Sequence, residues 1–328
     1  MSEISGESIE ACARYRAAWE AHPFLYAQHG DNSYPDSEDD ILEMIRSHFA
    51  SGVGTLPPEG EICSSECPPG LVVPHLDFRV GGHVYSHAYD ALLRGGPADL
   101  YVILGVGHQS AAEISVLKKG YRTCLGETCV DEDFFYSLRD ACGFEIGLDP
   151  FSHHGEHSIE FVVVYLQALG RLFPRFAPFR ILPVLCGGMH EGVERGTGIG
   201  SDYHQFAEAL RGVVAGYSGR VCVIGSIDGS HVGPRFGHPF KVNKSALGQV
   251  RGWDEQAFLA AEHGDPEAFI KSFGQTRNAQ FFDGVGVLFV MLHMFREIAR
   301  FRLQHYDQWF EKRDASVVSL ASGVFGRC

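Results

Sequence analysis

Gly70-Leu71-Val72-Val73-Pro74-His75 decides the fold. Leu71–Val73 is short, apolar and β-branched, the pattern of a strand buried on both faces. Pro74 cannot donate to a ladder, so the strand ends there and His75 sits just past its carboxyl end. The arrangement recurs twice. Leu100-Tyr101-Val102-Ile103-Leu104 runs into Gly105-Val106-Gly107-His108, and Val221-Cys222-Val223-Ile224 runs into Gly225-Ser226-Ile227-Asp228-Gly229-Ser230-His231. Ligands of open α/β sheets bind outside the carboxyl ends of parallel strands. Three apolar strands, each delivering a histidine to that edge, are the main functional signal.

The chain of 328 residues is long enough for a large core, and its 45% hydrophobic and 12% aromatic content is that of a globular protein. A formal charge of -14, from 41 acidic against 27 basic residues, disfavours nucleic acid, which is held by cationic contacts to phosphate. It gives no reason to expect an anionic membrane surface as partner. No run of 18 or more apolar residues predicts a membrane span. The acidic start, Met1-Ser2-Glu3-Ile4-Ser5-Gly6-Glu7, lacks the apolar core of a signal peptide, and a cytoplasmic location is expected. The nine cysteines read as reduced thiols. Cys63 and Cys67 form the one close pair, half a metal site at most.

Along the chain, helices are expected over 8–21 and 38–50, the second capped by Asp36-Ser37 and carrying Ile41, Leu42, Ile45 and Phe49 as its stripe. Residues 51–69 are rich in Gly, Pro and Cys and resemble a linker. A helix over 84–93 follows the first strand. Residues 113–131 read as a hairpin or short strands, 131–142 as a helix, 158–169 as a strongly apolar helix, 180–185 as a strand and 203–215 as a helix. Two short helices over 253–273, a long apolar helix over 284–301 and a strand over 316–320 complete the pattern. Buried strands alternating with amphipathic helices predict an α/β sandwich around a single, mostly parallel sheet. The expected division is an N-terminal helical extension and linker, 1–66, before one α/β domain, 67–328.

Two further constellations carry polar chemistry. Ser152-His153-His154-Gly155-Glu156-His157-Ser158-Ile159-Glu160 precedes the apolar helix and reads either as a site or as a capped, acidic helix start. His157 and Glu160, three apart, share a helix face. Asp228 and His231 could pair, the carboxylate orienting the imidazole for proton transfer, or lie in an ordinary surface turn. No G-x-S-x-G elbow, P-loop or H-E-x-x-H helix is present. Gly105-x-Gly107 lacks the third glycine of a dinucleotide fingerprint.

Together these stretches resemble the Memo family, including the AmmeMemoRadiSam system protein B. Gly30-Asp31-Asn32-Ser33-Tyr34-Pro35 is similar to the family's opening A-G-x-x-Y-P segment. Val72-Val73-Pro74-His75-Leu76-Asp77-Phe78 resembles its P-H-A-G-Y block, with Asp77 and Phe78 replacing Gly and Tyr. Ile103–His108 resembles I-L-G-P-x-H, and Leu125-Gly126 with Val130-Asp131 resembles L-G-x-x-x-V-D. His153 with Glu156-His157-Ser158-Ile159-Glu160 matches H-x-x-E-H-S-I-E, the most specific stretch. Ser226–His231 resembles S-S-D-x-x-H, and Asp314–Gly323 the closing strand. The likeness covers nearly everything after residue 29.

The resemblance implies a fold like that of class III extradiol dioxygenases. It implies His75 and His108 as metal ligands, and His231, with Asp228, as acid/base; Glu156 and His157 join the site. The family's third ligand is a cysteine in a T-x-C-G stretch. Thr276-Arg277-Asn278-Ala279 is taken here as its counterpart, which puts Asn278 in the ligand position. An amide is a far weaker donor than a thiolate, so Asp228, and after it Asp77, are the carboxylates expected to stand in. The implied cofactor is Fe(II), with copper as alternative. The implied function is a metal-dependent redox enzyme of the non-haem iron type, an oxygenase acting on a small molecule or peptide. The alternative is a non-catalytic metal- or peptide-binding protein.

Overall fold

The computed structural model describes residues 6–58, 66–187, 193–194 and 198–327. Cys63, and with it the question of a Cys63–Cys67 site, lies outside them. Cys67, Cys124, Cys129, Cys142, Cys186 and Cys222 are free thiols.

The chain is a mixed α/β fold. Its central sheet holds four parallel strands: β2 (Gly70–Val73), β3 (Leu100–Gly107), β7 (Arg180–Gly187) and β8 (Val221–Ser226). They stand in the order β2-β8-β3-β7. Antiparallel strands extend both edges. β4 (Ile114–Val116) pairs with β7. On the other side β11 (Ser316–Arg327) pairs with β2, and β10 (Ala299–Glu311) pairs with β11. β9 (Asp228–Val232) also pairs with β11. A separate small sheet joins β1 (Phe24–Tyr26), β5 (Gly120–Thr123) and β6 (Gly126–Thr128). The expected single sheet is thus one large mixed sheet with a three-stranded satellite.

Each central strand divides its side chains between two cores, as the two-residue period requires. Leu71, Val73, Tyr101 and Ile103 face one side, where α2 (Glu38–Ser51), α3 (Phe78–Gly95) and α5 (His157–Leu172) pack. Val72, Val102 and Leu104 face the other, covered by α4 (Glu132–Ala141), α6 (Ser201–Gly216), α7 (Lys244–Glu262), α8 (Pro266–Ser272) and α9 (Val285–Phe295). Every residue of α9 is buried, as expected of a helix apolar on all sides. The segment before the linker-like stretch shares the first core, through Leu25, Tyr34, Ile41, Ile45 and Phe49.

Several boundaries differ from the sequence reading: the first helix expected within 253–273 already begins at Lys244 and the strand expected over 316–320 runs to Arg327, and three further differences have a local cause. α3 begins at Phe78, not 84, because Asp77 caps it: the carboxylate accepts the Arg79 N–H at 2.8 Å. The helix expected over 284–301 stops at Phe295, and β10 begins at Ala299. Ala299 and Phe301 are buried while Arg300 and Arg302 are exposed, a two-residue period that starts just after Arg296-Glu297 interrupt the apolar run. Finally, β1 forms where a helix exit was expected, because Phe24–Tyr26 finds a parallel partner in β5.

Gly105 admits α5 close to the sheet. A Cβ there would lie 2.5 Å from Ser158 Oγ and 2.7 Å from Ile159 Cγ1. This approach sets the amino end of α5 beside the carboxyl end of β3.

Candidate metal centre

β2, β3 and β8 all end at the same edge of the sheet, and their histidines converge there. His75, His108, His157, Asp228 and His231 line one cavity of about 530 Å³. Phe161, Phe236, Phe281 and Trp309 form its apolar walls. One nitrogen each of His75, His108 and His157 lies within 4.8 Å of the others.

Each imidazole is oriented from behind. His75 Nδ1 lies 3.2 Å from the Ser226 carbonyl. A carbonyl only accepts, so Nδ1 carries the hydrogen and Nε2 faces the cavity. His108 Nδ1 lies 3.1 Å from both oxygens of Glu156, which also accepts the His108 backbone N–H at 3.2 Å. Glu156 is itself the N-cap of α5, accepting the Ser158 N–H at 3.0 Å. His157, the first residue of that helix, stacks on His108 with ring centroids 5.0 Å apart and meets His75 edge-on at 5.2 Å.

The side chain between the histidines is one the sequence reading passed over, Asp283. Its Oδ2 is 3.0 Å from His75 Nε2 and 3.8 Å from His108 Nε2. Its Oδ1 accepts the Asp228 N–H at 3.0 Å. Gly284 follows and must be glycine: a Cβ there would sit 2.5 Å from Ile227 Cβ.

Two expected roles are corrected. Asn278 serves its own loop: Oδ1 accepts the Phe282 N–H at 2.9 Å, and Nδ2 donates to the Phe282 carbonyl at 3.3 Å. Left-handed backbone at Arg277, Asn278 and Phe281 winds this loop tightly, a conformation that asparagine tolerates better than most residues. Asp228 orients His75 rather than His231. It accepts the His75 backbone N–H at 3.0 Å, with Oδ2 3.9 Å from His75 Nε2. His231 is held instead through Nδ1, 3.0 Å from the Gly229 carbonyl and 3.2 Å from that of Phe281. Asp77 lines the cavity while capping α3.

The electrostatics favour positive charge at the centre. Burial opposes a charged His108, but Asp283 and Glu156 outweigh it and push its pKa up to about 10. Burial likewise opposes a charged His75, and Asp228 and Asp283 raise its pKa nonetheless. Despite burial, Asp283 is held below the usual carboxylate range by His75 and His108. His157 stays neutral, lowered to about 3 by burial and by His75. A divalent cation meets the same demand as added protons, with deprotonated imidazole and carboxylate as its donors. The residues present therefore fit a metal: Nε2 of His75 and of His108 with a carboxylate oxygen of Asp283, and His157 adjacent.

The Memo-like protein family model matches residues 26–324. A MEMO1 family protein of Aquifex aeolicus is 27% identical over 300 residues, covering 90% of this chain and 71% of its own. One of Pyrococcus furiosus is 29% identical over 301 residues, covering 89% and 95%. One of Methanocaldococcus jannaschii is 30% identical over 208 residues, covering 62% and 67%. The chain belongs to the Memo-like family. Among the described residues no helix is long and apolar enough to cross a membrane.

Proposed function

We propose that this Memo-like chain is a metal-dependent redox enzyme of the non-haem iron type, an oxygenase acting on a small molecule or peptide. One observation carries the reading: the two histidines from β2 and β3 share a single carboxylate, Asp283. Two imidazoles and one carboxylate on one side of an open cavity are the donor set of non-haem Fe(II) oxygenases. His75, His108 and Asp283 would hold the ion, and Fe(II) there would supply one-electron and O2 chemistry. Copper is the alternative occupant; a carboxylate donor favours the harder iron.

The chain's own residues have definable tasks. Glu156 and the Ser226 carbonyl fix the two imidazole tautomers, leaving Nε2 as donor on each ring. Asp228 holds the His75 backbone in place. With Nδ1 committed to two carbonyls, His231 presents Nε2 as the atom that takes or gives a proton, the role of general acid/base. Phe161, Phe236, Phe281 and Trp309 wall the cavity with apolar surface and offer flat faces to an aromatic or otherwise planar substrate.

The test is anaerobic loading with Fe(II), then iron analysis and oxygen uptake with a simple catechol as probe. Wild type should hold one iron at this centre. Asp283→Asn should bind iron at least about 100-fold more weakly, since a charged ligand becomes a neutral amide. Asn278→Ala should bind it as wild type does. Iron binding untouched by Asp283→Asn and by His108→Ala overturns the assignment. Iron bound as expected, with a peptide or catechol bound but no oxygen consumed, supports the non-catalytic alternative instead.

A further inference from the structure

A second group of metal-binding side chains lies away from this edge of the sheet, on three helices that cover the opposite core. One donor atom each of His204 (α6), Glu267 (α8) and His293 (α9) lies within 4.8 Å of the others. His293 is 5% exposed. Its Nε2 is 2.9 Å from Glu208 Oε1. Glu208 is also paired with Arg211 and with Arg296. The carboxylate therefore accepts, Nε2 carries the hydrogen, and Nδ1 is left with its lone pair. That Nδ1 is buried and has no hydrogen-bond partner, which is unusual for a buried polar atom.

The surroundings supply what such a nitrogen lacks. The His204 ring stands 5.3 Å from that of His293 at 86°. Phe289 packs against both imidazoles, at 4.9 and 5.7 Å. A surface cavity is lined by His204, Glu208 and His293, so an ion has a path to the site. A carboxylate hydrogen-bonded to the far nitrogen of a ligating histidine is the usual support of a metal-bound imidazole. Here Glu208 occupies that position, braced by Arg296 at 3.0 Å.

We propose that His204, Glu267 and His293 form a second metal site, which takes a divalent transition ion of the zinc class and fastens α6, α8 and α9 together. Two imidazoles and one carboxylate suit zinc, with its fourth position open to water. Zinc bonds of about 2.0–2.2 Å require the donors to draw slightly closer. His204 is half-buried and Glu267 exposed, so both can rotate to do so. The site is independent of the reading given to the central histidines.

Zinc titration of chelator-stripped protein against a chromophoric competitor tests this. Wild type should bind one equivalent more than His204→Ala or Glu267→Gln. Whatever the central histidines hold is common to all three proteins and cancels in the difference. Both substitutions are outside the tightly packed core, and equal metal-free melting temperatures would show that the variants fold. Zinc should also raise the melting temperature of wild type more than that of either variant. If either variant retains the equivalent at wild-type affinity, the three-donor site is wrong.

Discussion

The stretch from His153 to Glu160 splits into two regions that treat their polar groups in opposite ways. Glu156 and His157 face the cavity: Glu156 holds His108, and His157 stacks on it. Glu160, one helical turn on, faces away and binds the N-terminal segment. It accepts the backbone N–H groups of Gln28 and His29 at 2.8 and 2.9 Å and the Tyr34 hydroxyl at 2.5 Å, and lies 3.1 Å from His29 Nδ1. His153 is buried too, with Nε2 3.1 Å from the Ser115 carbonyl. Nothing in the spacing separates an architectural carboxylate from a functional one. The partners do: Glu160 is saturated by four donors, whereas Glu156 serves a ring whose other nitrogen stays open.

Breaking the architectural side should have the largest effect. Glu160→Gln turns an amide N–H donor toward donors and should cost about 3 kcal/mol of stability, measured by urea unfolding. Iron affinity of the remaining folded protein should stay within about threefold. Glu156→Gln should do the reverse, weakening iron binding about 10-fold through the loosened His108 while costing under about 1.5 kcal/mol of stability. If both variants lose stability and metal alike, the division is false.

His153 sharpens the comparison through pH. Burial lowers its pKa to about 4, against the opposing hydrogen bond to Ser115. The unfolded chain takes up this proton through about pH 6.5, whereas the folded chain does so only near 4. Stability is therefore complete above 6.5 and is lost as the pH falls from 6.5 to 4. This group alone should contribute a loss of about 1 kcal/mol between pH 7 and 5.5, and His153→Gln should flatten that part of the profile. An unchanged slope would place the acid sensitivity elsewhere.

The smallest effect is expected at Asn278. Because its amide is spent on Phe282, Asn278→Cys should leave the copper-to-iron preference unchanged and cost about 1 kcal/mol of stability. Asp283→Cys should move that preference toward copper(I). A shift with Asn278→Cys would return this residue to the centre.

How far the sequence disclosed this follows from which signals were local. β2, β3 and β8 were legible because continuous β-branched runs have few other uses, and the convergence of their histidines follows from parallel strands ending at one edge. β10 was hidden because the helical period of the preceding apolar run was carried past Arg296-Glu297 to Phe301. Asp283 was hidden because its partners, His75 and His108, are remote in sequence and nothing local marks it. The motif reading stopped at Asn278, five residues short of it. The tie between Asp228 and His75 spans 153 positions and leaves no trace in spacing.

The last hairpin, β10 and β11, has a consequence during synthesis. β11 lies directly against β2, and the hairpin supplies Trp309 and Val318 to the cavity wall. While the ribosome is still adding residues beyond α9, β2 has a partner on one side only. A nascent chain at that stage exposes an unpaired apolar strand edge beside a half-walled pocket, the kind of edge that recruits chaperones or other unfinished chains. The pocket is thus complete only once the strand that closes the sheet has left the exit tunnel.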